Sequence, residues 1–193
     1  MMRWLDALLG RTRPAKSSFE NLFSISTARI TLAVKFNVKP TGKAGITFKP
    51  VGTSYFDAAE RELKGLLELA EGETKAQFRL VKDGYGYGWV LLLGKGFEDL
   101  VATLHMTSGT LRDHGFGDQL LAAVFQFADD EGRPIYWIYN YKRGRFYPFV
   151  PQTGKERDNA LELRLRALME KEMPLEPELD RWYPLWDIPL SRE

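Results

Sequence analysis

The sequence predicts an α+β fold, an antiparallel sheet with helices packed on one face, built on a ferredoxin-like βαββαβ core. Three observations carry that expectation. Apolar residues alternate with a period of two in several short segments, and recur at helical spacing in others. The two kinds interleave in the order strand, helix, strand, strand, helix, strand between residues 45 and 128. To this core the chain adds an extra N-terminal strand, a C-terminal hairpin, a last helix and an aromatic tail. With 193 residues and 44% hydrophobic content, the composition suits a single domain over 1–193 with an ordinary core.

The elements follow in order. Residues 28–38 (ARITLAVKFNV) alternate through Ile30, Leu32, Val34 and Phe36, which reads as the extra strand. Residues 44–51 (AGITFKPV) alternate through Ile46 and Phe48, and KPTGK between the two is turn chemistry, so the pair is expected to form a hairpin. From Tyr55 the period becomes helical through Phe56, Ala59, Leu63, Leu66, Leu67 and Ala70, with Ser54 and Asp57 as caps and Gly72 as the stop. KAQFRLVKD and YGWVLLLG flank DGYG, where Asp83 and Gly84 are residue types that tight hairpins favour. Phe97, Leu100, Val101, Leu104 and Leu111 make a helical stripe that should end near Gly115, with Gly109 weakening its middle. QLLAAVFQFAD, IYWIYNY and RFYPF then read as strands, separated by the turns DEGRP and KRG. A last helix over 158–172 stops before Pro174. The tail, 174–193, is too rich in proline to be regular, and its aromatic and aliphatic residues are expected to pack on the domain.

Charge and composition exclude several classes. The 27 basic and 26 acidic residues nearly cancel, so the chain lacks the excess of a dedicated nucleic-acid binder. There is no cysteine, hence no disulfide or thiolate ligand, which fits a cytoplasmic location. The longest apolar run, WVLLLG, is far short of the roughly 18 residues of a membrane-spanning helix. Residues 1–16 set Trp4, Leu5, Leu8 and Leu9 at helical spacing ahead of Arg11, Arg13 and Lys16. That is a short amphipathic basic helix, which either docks on its own domain or lies peripherally on anionic lipid at the inner face of the membrane.

The segment YKRGRFYPFVP, 141–151, concentrates cations and aromatic rings. It is superficially similar to the basic, glycine, aromatic signature of RNA-recognition domains. That signature belongs on the third strand, whereas this stretch follows the fourth. Arg145 also stands where an aromatic is needed, and Pro148 disrupts a stacking platform. The simpler reading is a turn at Lys142, Arg143 and Gly144, with Tyr139, Tyr141, Phe146 and Phe149 packing across strands. As a protein-binding patch the candidates are Tyr141, Arg143, Arg145, Phe146 and Tyr147, since arginine and tyrosine recur at interface hot spots.

No catalytic residue, metal ligand or cofactor site is assigned. His105 and His114 are the only histidines and lack the pattern that places two imidazoles on one helical face. Ser108 in MTSGT lacks the elbow of a hydrolase nucleophile. The glycines of KDGYGYGW and RDHGFGD do not enter a phosphate loop. Asp129, Asp130 and Glu131 read as a solvated turn rather than a calcium loop. Charges alternating in sign along NALELRLRALMEK read as a solvent-facing side.

Five stretches in order, WLDALLGRTRPAK, DGYGYGW, LHMTSGTLRDHGFGDQLLAAVF, YKRGRFYPFVP and RDNALELRLRALMEKEMPLEPELDRWYPLWDIP, resemble the PspA-associated protein family PspAB. They cover nearly the whole chain, with departures at positions such as the loop after Trp89. The resemblance implies a setting in the phage-shock, envelope-stress response. Its partners would be PspA, a coiled-coil protein that protects the inner membrane, or an HtpX-type membrane zinc protease. It carries over no catalytic residues. The expectation is a non-enzymatic cytoplasmic adaptor, with the basic N-terminal helix and the 141–149 hairpin as contacts and the Trp182, Tyr183 and Trp186 tail as either core cover or interface. Two alternatives stand beside it: a ligand binder or enzyme with a pocket between sheet and tail, using polar groups near His105, Asp113 or Arg143, and a peripheral membrane module.

Overall fold

The computed structural model describes residues 17–49, 60–68, 72 and 76–191. A helical turn α1 (Ser17–Glu20) and a 3-10 turn (Asn21–Phe23) lead into α2 (Ser24–Phe36) and strand β1 (Lys39–Phe48). Helix α3 covers 60–68. Then come β2 (Gln77–Lys82), β3 (Gly88–Leu93), α4 (Phe97–Leu111), β4 (Leu120–Ala128), β5 (Pro134–Asn140) and β6 (Arg145–Phe149). A small ribbon of β7 (Pro151–Gln152) and β8 (Glu156–Arg157) precedes α5 (Asn159–Met169). The six long strands form one sheet in the order β2-β3-β1-β4-β5-β6, with antiparallel neighbours throughout. Its first four positions are the expected βαββαβ unit, and β5 and β6 extend it as a hairpin.

The extra N-terminal strand is not there. Residues 28–36 belong to α2, and 39–43, expected as a turn, belong to β1. The alternation that suggested a strand ran partly through surface residues, because Ile30 is 57% exposed and Val34 75%. The buried set is Leu22, Ile25, Ala28 and Leu32, which has helical spacing. The helix stops at Asn37, whose φ of 54° is left-handed, with its N–H on Ala33 O (3.1 Å) and the Val38 N–H on Leu32 O (3.2 Å). The turn residues of KPTGK serve a bulge between Pro40 and Lys43 instead. There Gly42 takes φ 79°, and a Cβ would sit 2.5 Å from Gly94 O.

Helix α4 buries Phe97, Leu100, Val101, Leu104 and Leu111 as its stripe requires, and the chain leaves the helical path at Gly115 (φ 84°). Helix α5 begins where Asp158 accepts the Leu161 N–H at 2.9 Å. Leu63 and Leu67 of α3 are buried, while the expected caps Ser54 and Asp57 lie outside the described residues. One sheet face, carrying Ile46, Val90, Phe125 and Trp137, packs in the same core as Leu32, Leu100 and Leu165 of the helices. On the opposite face Leu91, Val124, Ile138 and Tyr147 pack with Trp182, Ile188 and Leu190 of the tail. Burial on both faces explains why β5 is apolar throughout.

The tail is tied down at its start and along its length. Pro174–Glu176 runs beside β6, with Phe146 N–H on Pro174 O and Glu176 N–H on Phe146 O, both 2.8 Å, and so covers the sheet edge. Two buried carboxylates act as fasteners. Glu176 is paired with Arg143. Glu162 accepts from Val150 N–H (2.8 Å) and Arg157 Nε (2.9 Å), and Arg157 Nη1 donates to Trp182 O at 2.8 Å. Glu162 belongs to the helix whose charges read as solvent-facing, yet it is 1% exposed.

Candidate functional site

The β5–β6 turn brings the five expected partner-binding residues together and sorts them by burial. Tyr141, Phe146 and Tyr147 are core residues. Tyr139 and Phe146 pack with ring centroids 4.7 Å apart, and Tyr139 meets Tyr141 edge-on at 5.5 Å. The Tyr139–Phe146 contact is the cross-strand packing expected from the sequence, the two residues being directly paired in the β5–β6 register. Tyr147 stacks on Trp182 (6.3 Å, 23°) and its hydroxyl donates to Tyr183 O at 3.0 Å. Burial pushes its phenol well above the usual range. Arg143 engages Glu176, and Arg145 Nη1 donates to Leu175 O at 2.9 Å while the residue stays exposed. The patch is therefore a basic turn anchored to the tail, with its aromatic members inside.

Beside this turn, the tail leaves part of the sheet's second face open as a cleft of about 570 Å³. Its floor includes Trp89, Ala122 and Tyr147, and its walls are the β2–β3 turn and residues 183–186. Asp83 builds the first wall. One carboxylate oxygen accepts the N–H groups of Tyr85 (2.9 Å) and Tyr87 (3.0 Å), and the other accepts the Trp89 indole N–H (2.9 Å). That locks the turn and holds the Tyr85 and Tyr87 rings outward, Tyr85 being 62% exposed. The second wall is held by Trp182, whose Nε1 donates to Glu176 O (3.0 Å), and by Trp186 set edge-on to Phe149 (5.2 Å). Tyr183 is consequently 56% exposed. Asn140 and Lys142 supply polar groups at the β5 end. The sequence predicts a pocket between sheet and tail with polar groups near His105, Asp113 or Arg143; the non-aromatic polar residues lining this cleft are Thr47, Asp83, Asn140 and Lys142 instead.

The remaining candidates fall elsewhere. His105 is half-buried against Phe23 (4.8 Å), and Ser108 Oγ donates to His105 O (2.8 Å) as a helix back-bond. His114 Nε2 lies 2.6 Å from Glu62 Oε2. Asp113 lies 3.5 Å from Arg112. Asp129 accepts from the N–H groups of Glu131 and Arg133 and from Arg133 Nε, and Asp130 accepts from the Asn37 amide, so the acidic cluster is a turn bonded to itself and to the end of α2. Among the described residues no group of three or more His, Cys, Asp or Glu is placed to hold a metal ion, and no helix is long and apolar enough to cross a membrane. Trp4, Leu8, Arg11, Arg13 and Lys16 lie outside the described residues.

Fold and site together define an α+β protein with a ferredoxin-like core, whose proline-rich tail covers the open sheet face and walls an aromatic cleft. Over residues 2–190 the chain matches the family model described as PspA associated protein B, and it belongs to that family. No curated protein and no solved structure matches it.

Proposed function

We propose that the protein is a non-enzymatic accessory protein of a phage-shock-like envelope-stress response, acting by direct contact with PspA or with an HtpX-type membrane protease. The observation that carries this reading is the family match over 2–190, whose description couples the family to PspA. The basic β5–β6 turn is its contact surface within the described residues. Arg145 is exposed and uses one guanidinium N–H on Leu175 O, so the side chain is pre-positioned for an acidic partner. Residues 1–16, with Arg11, Arg13 and Lys16, would bring the protein to the inner face of the membrane.

The test is binding between the purified chain and purified PspA by sedimentation, with Arg145→Glu beside the parent. The expected result is a complex that the substitution weakens several-fold, with a stronger effect at low salt. A complex indifferent to Arg145→Glu would remove the turn as the contact.

A second reading rests on the cleft. A volume of about 570 Å³ is in the range of small-molecule sites. On that reading the protein binds a small ligand between sheet and tail.

A further inference from the structure

Deepening the second reading, and resting on it, we infer that the cleft takes a small, flat, apolar molecule carrying one anionic group. Aromatic rings supply the apolar contact. Tyr85, Tyr87 and Tyr183 stand exposed around the opening, while Trp186 is half-buried in the wall. Planar rings on tethered backbone favour a planar guest that can stack against them with little loss of side-chain freedom.

The charge of the guest follows from which polar groups of the lining are already engaged. Two side chains with a formal charge line the cleft, Asp83 and Lys142. Asp83 accepts three hydrogen bonds from its own hairpin, so most of its acceptor capacity is already taken within the wall. Lys142 is exposed and makes no hydrogen bond or ion pair among the described residues. Asn140 Oδ1 accepts the Arg143 N–H at 3.2 Å, which leaves its amide NH2 as the group to offer. Beside the neutral hydroxyls of Thr47, Tyr85, Tyr87 and Tyr183, the free capacity is thus an ammonium and an amide donor, and the complementary head group is an acceptor with negative charge, a carboxylate being the simplest. The apolar floor under it lowers the local dielectric and strengthens that pairing relative to bulk water.

Isothermal titration of the full chain with three isosteric probes decides the matter: 2-naphthoate, 2-naphthalenemethanol and 2-naphthylmethylammonium. The expected result is that naphthoate binds roughly fivefold more tightly than the alcohol, as an accessible ion pair gives, with the ammonium weakest. Lys142→Met should bring naphthoate to the level of the alcohol, and Tyr85→Ser should weaken both. Naphthoate no tighter than the alcohol, with Tyr85→Ser still weakening both, would overturn the anionic class and leave the cleft reading standing. No binding by any probe, or binding indifferent to both substitutions, would overturn the two together.

Discussion

At the scale of single residues, the tail depends on two arginine-paired carboxylates whose protonation is shifted in opposite directions. Burial pushes the Glu162 carboxyl above its ordinary 4.5, and Arg157 offsets this only in part. At Glu176 burial also acts upward, but the Arg143 guanidinium and the Glu178 N–H outweigh it and hold the group below 4.5. A raised folded value makes the Glu162 contribution full below 4.5 and lost as pH rises through the raised folded value; the depressed one makes the Glu176 contribution full above 4.5 and lost as pH falls through the depressed folded value. Denaturation curves across the mildly acidic range should therefore show Glu176→Gln flattening the loss on the acid side of 4.5 and Glu162→Gln flattening the loss just above it. Arg157 also lies over the Phe149 ring at 5.3 Å and holds Trp182 O. Its removal strands a carboxylate that is 1% exposed. Arg157→Ala should cost about 3 kcal/mol in urea unfolding, the range for breaking one side of a buried pair; a much smaller loss would mean that the pair does not fasten the tail.

Among the elements, α2 shows where pattern reading turns on exposure. Residues 28–38 offer both a period of two and a helical stripe, and nothing in the sequence says that Ile30 and Val34 face solvent. The stop at Asn37 was available as a signal, since asparagine tolerates the left-handed conformation found there. Asn37→Val should cost about 1–2 kcal/mol for the forced positive φ, with Asn37→Gly costing less, both read by thermal unfolding. Equal losses would mean that the cost lies in the lost bond from the Asn37 amide to Asp130 and not in its backbone conformation. By contrast α4, β4 and the DGYG hairpin were legible because one period dominates each segment and the turn residues agree with it. The DEGRP turn was legible for the same reason, Asp129 being an acceptor that bonds its own backbone.

For the whole molecule, the tail is the second layer of the sheet. Trp182, 5% exposed, carries much of that contact, so Trp182→Ala should cost about 3–5 kcal/mol and leave Tyr147 and Phe149 open to a hydrophobic dye. A small cost without dye binding would show that the tail is an appendage. That the tail packs was legible from its aromatic residues, whereas the lining of the cleft it leaves was not. The cleft joins Asp83–Tyr87 to Tyr183–Trp186 across the sheet, and only the strand order β2-β3-β1-β4-β5-β6 shows that these segments meet. The aromatic members of the 141–149 hairpin divide between the faces: Tyr141 and Phe146 enter the helix-covered core, while Tyr147 and Phe149 lie under the tail, with Tyr147 on the cleft floor.

The most direct test of the account is whether the purified full-length protein binds purified PspA in solution, measured by analytical ultracentrifugation with the Arg145→Glu variant alongside. The account predicts a salt-sensitive complex that this variant weakens while its unfolding stays cooperative. Absence of a complex at low salt, with both proteins folded, would contradict direct contact with PspA.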